Sequence, residues 1–384
     1  MLLTKQQKRW QDLARQFAQT EVKPRVDEME KKGEFPLQFM KRLGELGILG
    51  IGFPEQYGGQ NADSFSFILA VKEISKVWAS LGLSIGAHLL GANPIYFAGT
   101  EEQKKRYLIP LVRGESLGAF GLTEPSSGSD AGSSQTSAVS ENGVYALNGR
   151  KIFTTSASYA STYVVSALTI RAREKVGISA FILERNYPGL AIAKKEEKLG
   201  LWASDTAGLI LEGCRVPKEN LLGDEGKGFR VFLQTLNAGR LGIAGWALGI
   251  AEAAFEQMLE WAEKNEIKKD LMNNHEWEAG MIAESATKLE AALLLTQEAC
   301  RVKDTGELYI KEASMAKYFV SSLAVETCDL ALKLIGASAL TNDLPVERYF
   351  RDAKLGEIGE GTSEIQKLVI AREVLRKSEK LVTV

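Results

Sequence analysis

The residue types that most often perform catalysis or bind metals are scarce in this sequence. Among its 384 residues are two histidines, His88 and His275, and three cysteines, Cys214, Cys300 and Cys328. They lie far from one another and form no C-x-x-C pair, so the common zinc sites and histidine proton relays lack their ligands. Any catalysis must therefore use carboxylates, hydroxyls or a bound cofactor.

Two glycine-rich stretches only partly match nucleotide-binding motifs. Gly50-Ile51-Gly52 is followed by Phe53-Pro54-Glu55, where the G-x-G-x-x-G motif needs a third glycine. Before Gly226-Lys227, Leu221 stands where a P-loop has its first glycine, and Gly228 follows where a P-loop has Ser or Thr. The sequence therefore predicts neither a nicotinamide dinucleotide site nor a P-loop.

Four segments have an order that composition alone does not explain. Residues 120–132 read Phe-Gly-Leu-Thr-Glu-Pro-Ser-Ser-Gly-Ser-Asp-Ala-Gly, whose Pro, Gly and Ser content by itself indicates only a surface loop. Residues 147–156 read Leu-Asn-Gly-Arg-Lys-Ile-Phe-Thr-Thr-Ser. Residues 198–229 begin with Lys-Leu-Gly and end with Gly-Lys-Gly-Phe, and residues 345–366 end with Glu-Gly-Thr-Ser-Glu-Ile-Gln.

In this order, the four segments resemble the signatures of the acyl-CoA dehydrogenase family, from L-T-E-P-x-x-G-S-D-A-G to the terminal E-G-T-S-E-I-Q-R. The matches extend over nearly the whole chain, so chance does not account for them. The resemblance implies an α+β multidomain fold with an N-terminal helical domain, a middle β-barrel or sandwich domain and a C-terminal four-helix bundle. It also implies an FAD cofactor, an acyl-CoA or acyl-carrier thioester substrate and, usually, a homotetramer.

The resemblance assigns the role of catalytic base to Glu360, followed by Gly361, which would let the thioester approach the backbone closely. In the family, the flavin takes a hydride from the substrate β-carbon while a carboxylate removes an α-proton. A thioester α-proton is a weak acid, so the site must hold a desolvated carboxylate against it and polarise the carbonyl. Burial should raise the pKa of this carboxyl group toward the working pH.

Some family members carry the base at another place, immediately before the arginine of an L-D-x-x-R motif. Here that stretch is Leu-Asn-Ala-Gly-Arg at 236–240, so Gly239 occupies the alternative position and Glu360 has no competitor. Arg240 matches the family arginine near substrate and base. Asn237 replaces the usual aspartate, which alters one hydrogen bond on the substrate side.

Other matched positions imply contacts with the flavin ring. Leu122 and Thr123 match residues that bind the pyrimidine edge, and Thr155 matches the residue that meets N5. Phe153 replaces the tryptophan that covers one ring face, which keeps the stacking surface and loses only the indole donor. Ser129 matches a position beside both thioester and ring. The full prediction for the flavin is Phe120, Leu122, Thr123, Ser129, Phe153, Thr155, Thr362 and Glu364, and for the substrate Ser129, Asn237, Arg240 and Gly361.

The sequence departs from the family where a neighbouring subunit normally contacts the FAD pyrophosphate and adenine. Asn265 stands at the arginine of R-x-x-F-G-x-P, Lys268 and Lys269 stand at its Phe-Gly, and Lys333 replaces the Gln of Q-x-x-G-G. Either a homologous subunit supplies these contacts in a hetero-oligomer, or the lysines bind the phosphates as point charges. Two further alternatives are a flavin monooxygenase, which the retained Glu360 disfavours, and a non-catalytic assembly subunit.

The substrate and electron acceptor follow from the same resemblance, which is strongest to short-chain members. Electron-transferring flavoprotein is then the expected acceptor. Trp246 lies where short-chain members have a glutamine that narrows the acyl pocket, so a larger residue should shorten the pocket further. Gly359 replaces the tyrosine that usually precedes the base, which removes bulk. We therefore predict a short but wide pocket for small branched or cyclic acyl groups.

The elements that position these residues follow from hydrophobic periodicity. Residues 1–117 show helical spacing, as in the stripe from Trp10 to Phe17, with Ser64 a predicted helix cap. Residues 118–228 change to short β-branched runs separated by turns, with a hairpin at Asn142-Gly143. Helical patterns return over 229–384, which predicts three domains with these bounds.

Composition narrows the class of protein further. The chain is 45% hydrophobic, enough for substantial cores, and 47 basic residues nearly balance 49 acidic ones for a net charge of −2. The nearly balanced charge therefore gives no strong electrostatic field that would indicate a nucleic acid or an anionic membrane as a partner. There is no secretory signal pattern and no long apolar stretch, and the thiols fit a reducing compartment. These features predict a soluble, cytoplasmic protein.

Overall fold

A helical region, a β-sheet and a second helical region follow one another along the chain, as predicted. The computed structural model describes residues 2–141, 143–271 and 273–382. No helix among these residues is both long and apolar enough to cross a membrane. The division into domains at 1–117, 118–228 and 229–384 remains our proposal.

The first helix forms for local and tertiary reasons. Thr4 and Gln7 make a capping box, and the apolar side of the helix buries Trp10, Ala14 and Phe17. The helices of this region are α1 (Lys5–Phe17), α2 (Val26–Lys32), α3 (Leu37–Glu45), α4 (Ser64–Val77), α5 (Ala79–Ala98), α6 (Glu101–Gln103) and α7 (Ile109–Val112).

The predicted cap of α4 is wrong by one residue. The helix begins at Ser64, and Asp63 is the cap, because its carboxylate accepts a hydrogen bond from the Ser66 N–H at 2.8 Å. Asp63 has extended backbone angles, which an N-cap requires, and its carboxylate satisfies an N–H group that has no partner within the helix. The Ser64 hydroxyl instead donates to Asp304, at the end of a C-terminal helix.

Within the described residues, eight strands form one sheet in the order β6-β7-β3-β2-β4-β5-β8, with β1 paired to β4. Strands β2 and β3 are antiparallel neighbours joined at Glu141 and Val144, as the predicted hairpin requires. Gly143 in this turn has a φ of +83°, and Asn142 lies outside the described residues. The strands are β1 (Gly118–Gly121), β2 (Ser137–Glu141), β3 (Val144–Thr155), β4 (Thr162–Arg171), β5 (Glu174–Glu184), β6 (Leu190–Lys195), β7 (Thr206–Pro217) and β8 (Leu221–Leu222).

The C-terminal helices form the predicted bundle, in which α10 packs against α8, α9 and α13. Helix α8 is long and buries Ile243, Trp246, Ile250 and Met258 along one side. The helices are α8 (Gly228–Lys264), α9 (Glu276–Asp304), α10 (Ile310–Ile335), α11 (Val346–Ala353), α12 (Leu355–Ile358) and α13 (Ser363–Val382).

One loop ties the three regions together. The backbone N–H of Leu201 donates to the buried Asp352 carboxylate on α11 at 2.6 Å. The next N–H, of Trp202, donates to buried Glu30 on α2 at 2.6 Å, and Glu30 also accepts from the indole of Trp78. Since each carboxylate satisfies buried backbone donors, this loop fixes the sheet against both helical regions.

Candidate active site

Glu360 lies in the tight turn between α12 and α13. Its φ is +53° and that of Gly361 is +90°, so two consecutive residues adopt left-handed backbone angles. Such angles are costly for a glutamate, and they recur at functional sites. The residue as a whole is half-buried, yet its Oε2 atom is inaccessible to solvent and has no hydrogen-bond partner among the described residues.

The electrostatic environment of Glu360 suits a base. Burial raises the pKa of its carboxyl group to about 7, and the positive charges of Lys317 and Arg240 oppose that rise. A carboxyl group with this pKa is partly ionised near neutral pH. Its carboxylate can accept a proton, because no ion pair among the described residues stabilises the charged form strongly. The sequence prediction of a desolvated carboxylate thus agrees with the geometry.

Gly239 on α8 faces the Glu360 carboxyl group directly. A Cβ atom at position 239 would overlap Glu360 Oε2 and would lie 2.8 Å from Leu90. The absence of a side chain therefore gives the carboxyl group its place. Gly239 also lines an apolar cavity of about 200 Å³ between α4, α5 and α8. The cavity walls include Phe67, Ile68, Leu89, Leu90, Ala238 and Leu241.

Arg240 is buried, and it lies close enough to Glu360 for the two charges to interact. Its Nη1 donates to Asn237 Oδ1 at 2.8 Å and to Ser314 Oγ at 3.1 Å. Burial lowers the pKa of Arg240, while Glu360 and Tyr309 raise it and Arg372 lowers it. Asn237 therefore orients Arg240. The side-chain oxygen of Asn237 accepts this hydrogen bond as an aspartate would, but without a negative charge.

The predicted flavin contacts on the sheet lie close together around a bulge in β3. The register of β3 against β7 shifts between Lys151 and Thr154, and Phe153 in the bulge has a φ of +55°. The residue is 62% exposed. A large aromatic residue that is exposed at a strained backbone position is a candidate surface for a planar ligand.

The loop after β1 runs beside this bulge. The carbonyl of Thr123 accepts a hydrogen bond from the N–H of Ile152 at 2.9 Å, and the carbonyl of Leu122 accepts one from Lys151 Nζ at 3.2 Å. Lys151 also forms a buried ion pair with Glu124 at 2.6 Å. Leu122 and Thr123 are thus fixed against the strand that carries Phe153.

The remaining flavin candidates have varied surroundings. Thr155 ends β3 and pairs with Thr206, whereas Ser129 is exposed in the loop after β1. Phe120 in β1 is half-buried, and its ring lies 4.9 Å from that of Phe232 on α8. Phe120 therefore packs the sheet against the bundle in addition to its predicted role.

Thr362 and Glu364 lie with the base at the start of α13. Thr362 caps this helix by accepting the N–H of Ile365 at 3.3 Å. The backbone N–H of Glu364 and the Thr362 hydroxyl hold the pKa of the exposed Glu364 carboxyl group below its usual value. The hydrogen bonds of both residues are local to the start of α13, and none of these bonds reaches the loop around Phe153.

Helix α5 joins the two parts of the site. Leu90 lies in the cavity wall beside Gly239, and the next residue, Gly91, abuts the backbone of Gly118 and Ala119 in β1. Strand β1 leads directly to Leu122. Leu90 and Gly91, which are adjacent on α5, thus contact the region around Glu360 and the strand that leads to the predicted flavin loop. Because α5 is one helix, it sets the distance between these two regions.

Family models match this chain over three consecutive stretches. The acyl-CoA dehydrogenase N-terminal domain matches residues 4–115, the middle domain residues 119–214 and the C-terminal domain residues 226–375. The chain belongs to the acyl-CoA dehydrogenase family. This family consists of FAD-dependent oxidoreductases, and the chain is one of them by these matches.

Individual acyl-CoA dehydrogenase relatives agree over the full length. The short-chain specific acyl-CoA dehydrogenase of Clostridium acetobutylicum is 43% identical, with 97% of this chain and 99% of that protein covered. Butyryl-CoA dehydrogenase from Megasphaera elsdenii has a TM-score of 0.93 at 39% identity, covering 98% and 99% of the two chains. A chain in the structure described as "Electron transferring flavoprotein of Acidaminococcus fermentans: Towards a mechanism of flavin-based electron bifurcation" has a TM-score of 0.94 at 44% identity, covering 98% and 99%.

The residues present fit the ring of the FAD that the family binds. The exposed Phe153 offers a stacking face, and the buried hydroxyls of Thr154 and Ser156 beside it have no partner among the described residues. Leu122 and Thr123 are bonded through their carbonyl groups to Lys151 and Ile152 of the same strand. When bound, FAD would supply the hydride acceptor, and these residues of the acyl-CoA dehydrogenase would hold its ring.

Sequence reasoning missed one buried residue beside the Glu360 turn and misplaced another buried residue. Lys317 on α10 donates from Nζ to the carbonyl of Gly361 at 2.6 Å. The available signal was a lysine on the otherwise small and apolar buried side of α10. Trp246, predicted to shorten the acyl pocket, is absent from the cavity wall: its indole donates to the Ala79 carbonyl at 2.9 Å inside the helical core. Helical periodicity identified Trp246 as buried but could not tell which neighbours bury it.

Proposed function

We propose that this chain dehydrogenates short acyl-CoA thioesters to trans-2-enoyl thioesters, with Glu360 removing the α-proton. FAD, when bound, supplies the acceptor for the β-hydride. The unpaired, buried Oε2 of Glu360, which faces Gly239 in the wall of the apolar cavity, carries this proposal. The carboxylate accepts the proton, Arg240 adds positive charge next to it, and the cavity walls exclude water from the acyl chain.

The cavity and the relatives together support a short substrate. About 200 Å³ is less than the usual range of roughly 300–1,000 Å³ for ligand pockets. The Clostridium acetobutylicum relative is named as short-chain specific. We keep the proposal that small branched or cyclic acyl groups are included, because Gly359 adds no side chain beside the base.

A panel of acyl-CoA substrates tests this function. Under anaerobic conditions, butyryl-CoA and isobutyryl-CoA are expected to bleach the yellow protein without NADPH, because hydride transfer reduces the flavin. Linear acyl chains of about ten carbons should bleach it at least tenfold more slowly, since the pocket is small. Efficient reduction by the long chains would contradict the size argument. Product formation that requires oxygen and an external reductant would instead indicate a monooxygenase.

Electron-transferring flavoprotein is the acceptor we propose. The likeness to a chain from the Acidaminococcus fermentans structure supports this choice. For location, we propose the cytoplasm, because Cys214, Cys300 and Cys328 are all free and buried, as expected in a reducing compartment. Both the acceptor and the location are separate from the chemistry at Glu360 and can be tested independently.

For assembly, we propose a hetero-oligomer with a homologous subunit that contacts the FAD pyrophosphate. Asn265 donates to the Trp261 carbonyl of its own helix at 2.8 Å, and Lys333 pairs with Asp329 at 2.6 Å. Lys269 likewise pairs with Glu266 at 2.6 Å. These lysines are partly neutralised within their own chain, although such exposed pairs are weak enough to be exchanged for phosphate.

The FAD content of the chain expressed alone is therefore expected to be well below one per subunit. Each charge-assisted hydrogen bond lost with the usual arginine weakens FAD retention by about tenfold or more. Absorbance at the flavin band, protein concentration and native mass measure the outcome. A fully loaded homotetramer would refute the hetero-oligomer; in that case Lys333→Ala should lose FAD, while Lys194→Ala on the exposed edge of the sheet should not.

A further inference from the structure

The turn that carries Glu360 is held from two sides by buried side chains. Lys317 on α10 donates to the Gly361 carbonyl at 2.6 Å. Gln366 on α13 donates from Nε2 to the same carbonyl at 3.0 Å and to the Glu360 carbonyl at 3.3 Å. Lys317 and Gln366 are both fully buried. Two helices thus fix both carbonyl groups of a turn whose backbone angles are unfavourable.

Lys317 differs from the other buried lysines of the described chain. Lys151 is paired with Glu124, and Lys72 is paired with Glu252. Lys317 has no such ion pair, and its hydrogen bond goes to a backbone carbonyl. A buried ammonium group without a bonded carboxylate is costly, so its position requires an explanation.

We propose that Lys317 is a positioning residue for Glu360: with Gln366 it holds the Glu360–Gly361 turn so that the carboxylate faces Gly239 in the cavity wall, and its positive charge favours the ionised base. The inference rests on the proposed role of Glu360. Lys317 does not itself contact the reacting atoms, but it sets the position and the charge state of Glu360, which does.

The charges around the pair support this arrangement. Burial lowers the pKa of Lys317 to about 8 and raises that of Glu360 to about 7, and the charge of each group opposes the shift of the other. Facing Glu360 are Lys317 from α10 and Arg240 from α8. The charged groups that face Lys317 are Glu360 in the turn, Arg240 on α8, Glu357 on α12 and Glu364 on α13.

Removing the ammonium should make Glu360 harder to ionise. An opposite charge nearby lowers a carboxyl pKa by about one to three units, so Lys317→Met should move the acid limb of flavin reduction upward by about one pH unit. On that limb the rate at a fixed pH then falls about tenfold, in addition to any loss that is independent of pH. Lys317→Arg, which keeps charge and donor, should restore the wild-type midpoint.

The test is the second-order rate of anaerobic flavin reduction by butyryl-CoA between pH 5.5 and 9, which reports on the free enzyme. Gln366→Met removes the hydrogen bonds without a charge, so it should lower the rate at all pH values and leave the midpoint in place. Lys72→Met, far from the base on α4, controls for the loss of a buried lysine and should also leave the midpoint unchanged.

Each outcome separates this inference from the proposed function. An unmoved midpoint in Lys317→Met, with a rate loss no greater than that of Lys72→Met, would overturn the inference and leave the dehydrogenase intact. If Lys317→Met does not fold, the inference is decided by Lys317→Arg and Gln366→Met: it is overturned if Lys317→Arg moves the midpoint or if Gln366→Met reduces flavin at the wild-type rate. If wild type reduces no flavin with any short acyl-CoA, the proposed function itself fails.

Discussion

Glu360→Gln is expected to slow flavin reduction by short acyl-CoA by about 10²–10⁴-fold, because a positioned general base contributes rate enhancement of this size. The amide keeps the shape of the side chain but cannot accept the α-proton. Stopped-flow measurement of flavin bleaching under anaerobic conditions reports the step directly. In wild type, the rate should rise with pH through the pKa of Glu360, near 7, since only the carboxylate is active.

A matched substitution distinguishes chemistry from folding. Glu347→Gln on α11 changes the same functional group in a residue whose carboxylate pairs with Arg351, away from the base. It should leave reduction unchanged. Both variants should retain the FAD content of wild type, because neither residue is among the predicted flavin contacts. Normal bleaching by Glu360→Gln would show that another group removes the proton.

Lys151→Met is expected to destabilise the protein by about 3–5 kcal/mol, because it leaves a carboxylate buried without its partner. Burial alone would raise the pKa of Glu124, but Lys151 and Ser134 outweigh it and lower that pKa to about 2. Lys151 also donates to the Leu122 carbonyl, so the predicted flavin loop should loosen as well. Urea unfolding measures the free energy, and the flavin spectrum reports on the loop.

Two further variants check the mechanism of this loss. The double variant Lys151→Met with Glu124→Gln removes both charges and should recover part of the stability. Lys194→Met breaks the exposed pair with Glu197 and should cost less than about 1 kcal/mol. Equal costs for the buried and the exposed lysine would mean that burial of the Glu124 carboxylate is not what makes Lys151 important.

The ordered motifs predicted the family and the succession of helices, sheet and helices, because these depend on residue order and periodicity. The same matches propose Glu360 as the base, because it stands in a short run whose neighbours are also matched. What a motif cannot supply is the surroundings of the residue. A raised pKa for Glu360 is expected from its proposed role, but the burial that raises it comes from helices far away in the sequence.

Phe153 shows a second kind of limit. Its aromatic type in a β-branched run predicts a strand, and Phe153 does lie in β3. The strand pattern does not predict the register shift at Phe153 or its positive φ, because alternation describes regular pleats and a bulge breaks them. A lysine in a buried helical stripe, as at Lys317, can be recognised from the sequence as unusual. Its partner, the Gly361 carbonyl, becomes evident only when α10 is packed against the turn before α13.

The bare α-carbon of Gly239 has a consequence for how such an enzyme can change over time. A Cβ atom there would overlap the Glu360 carboxyl oxygen, so an acid at 239 fits only if the Glu360 side chain gives way. In a lineage that moved its base from one position to the other, an intermediate with both acids would therefore have to displace the carboxyl group at 360 from its present place. We expect sequences with an acid at both positions to be rare.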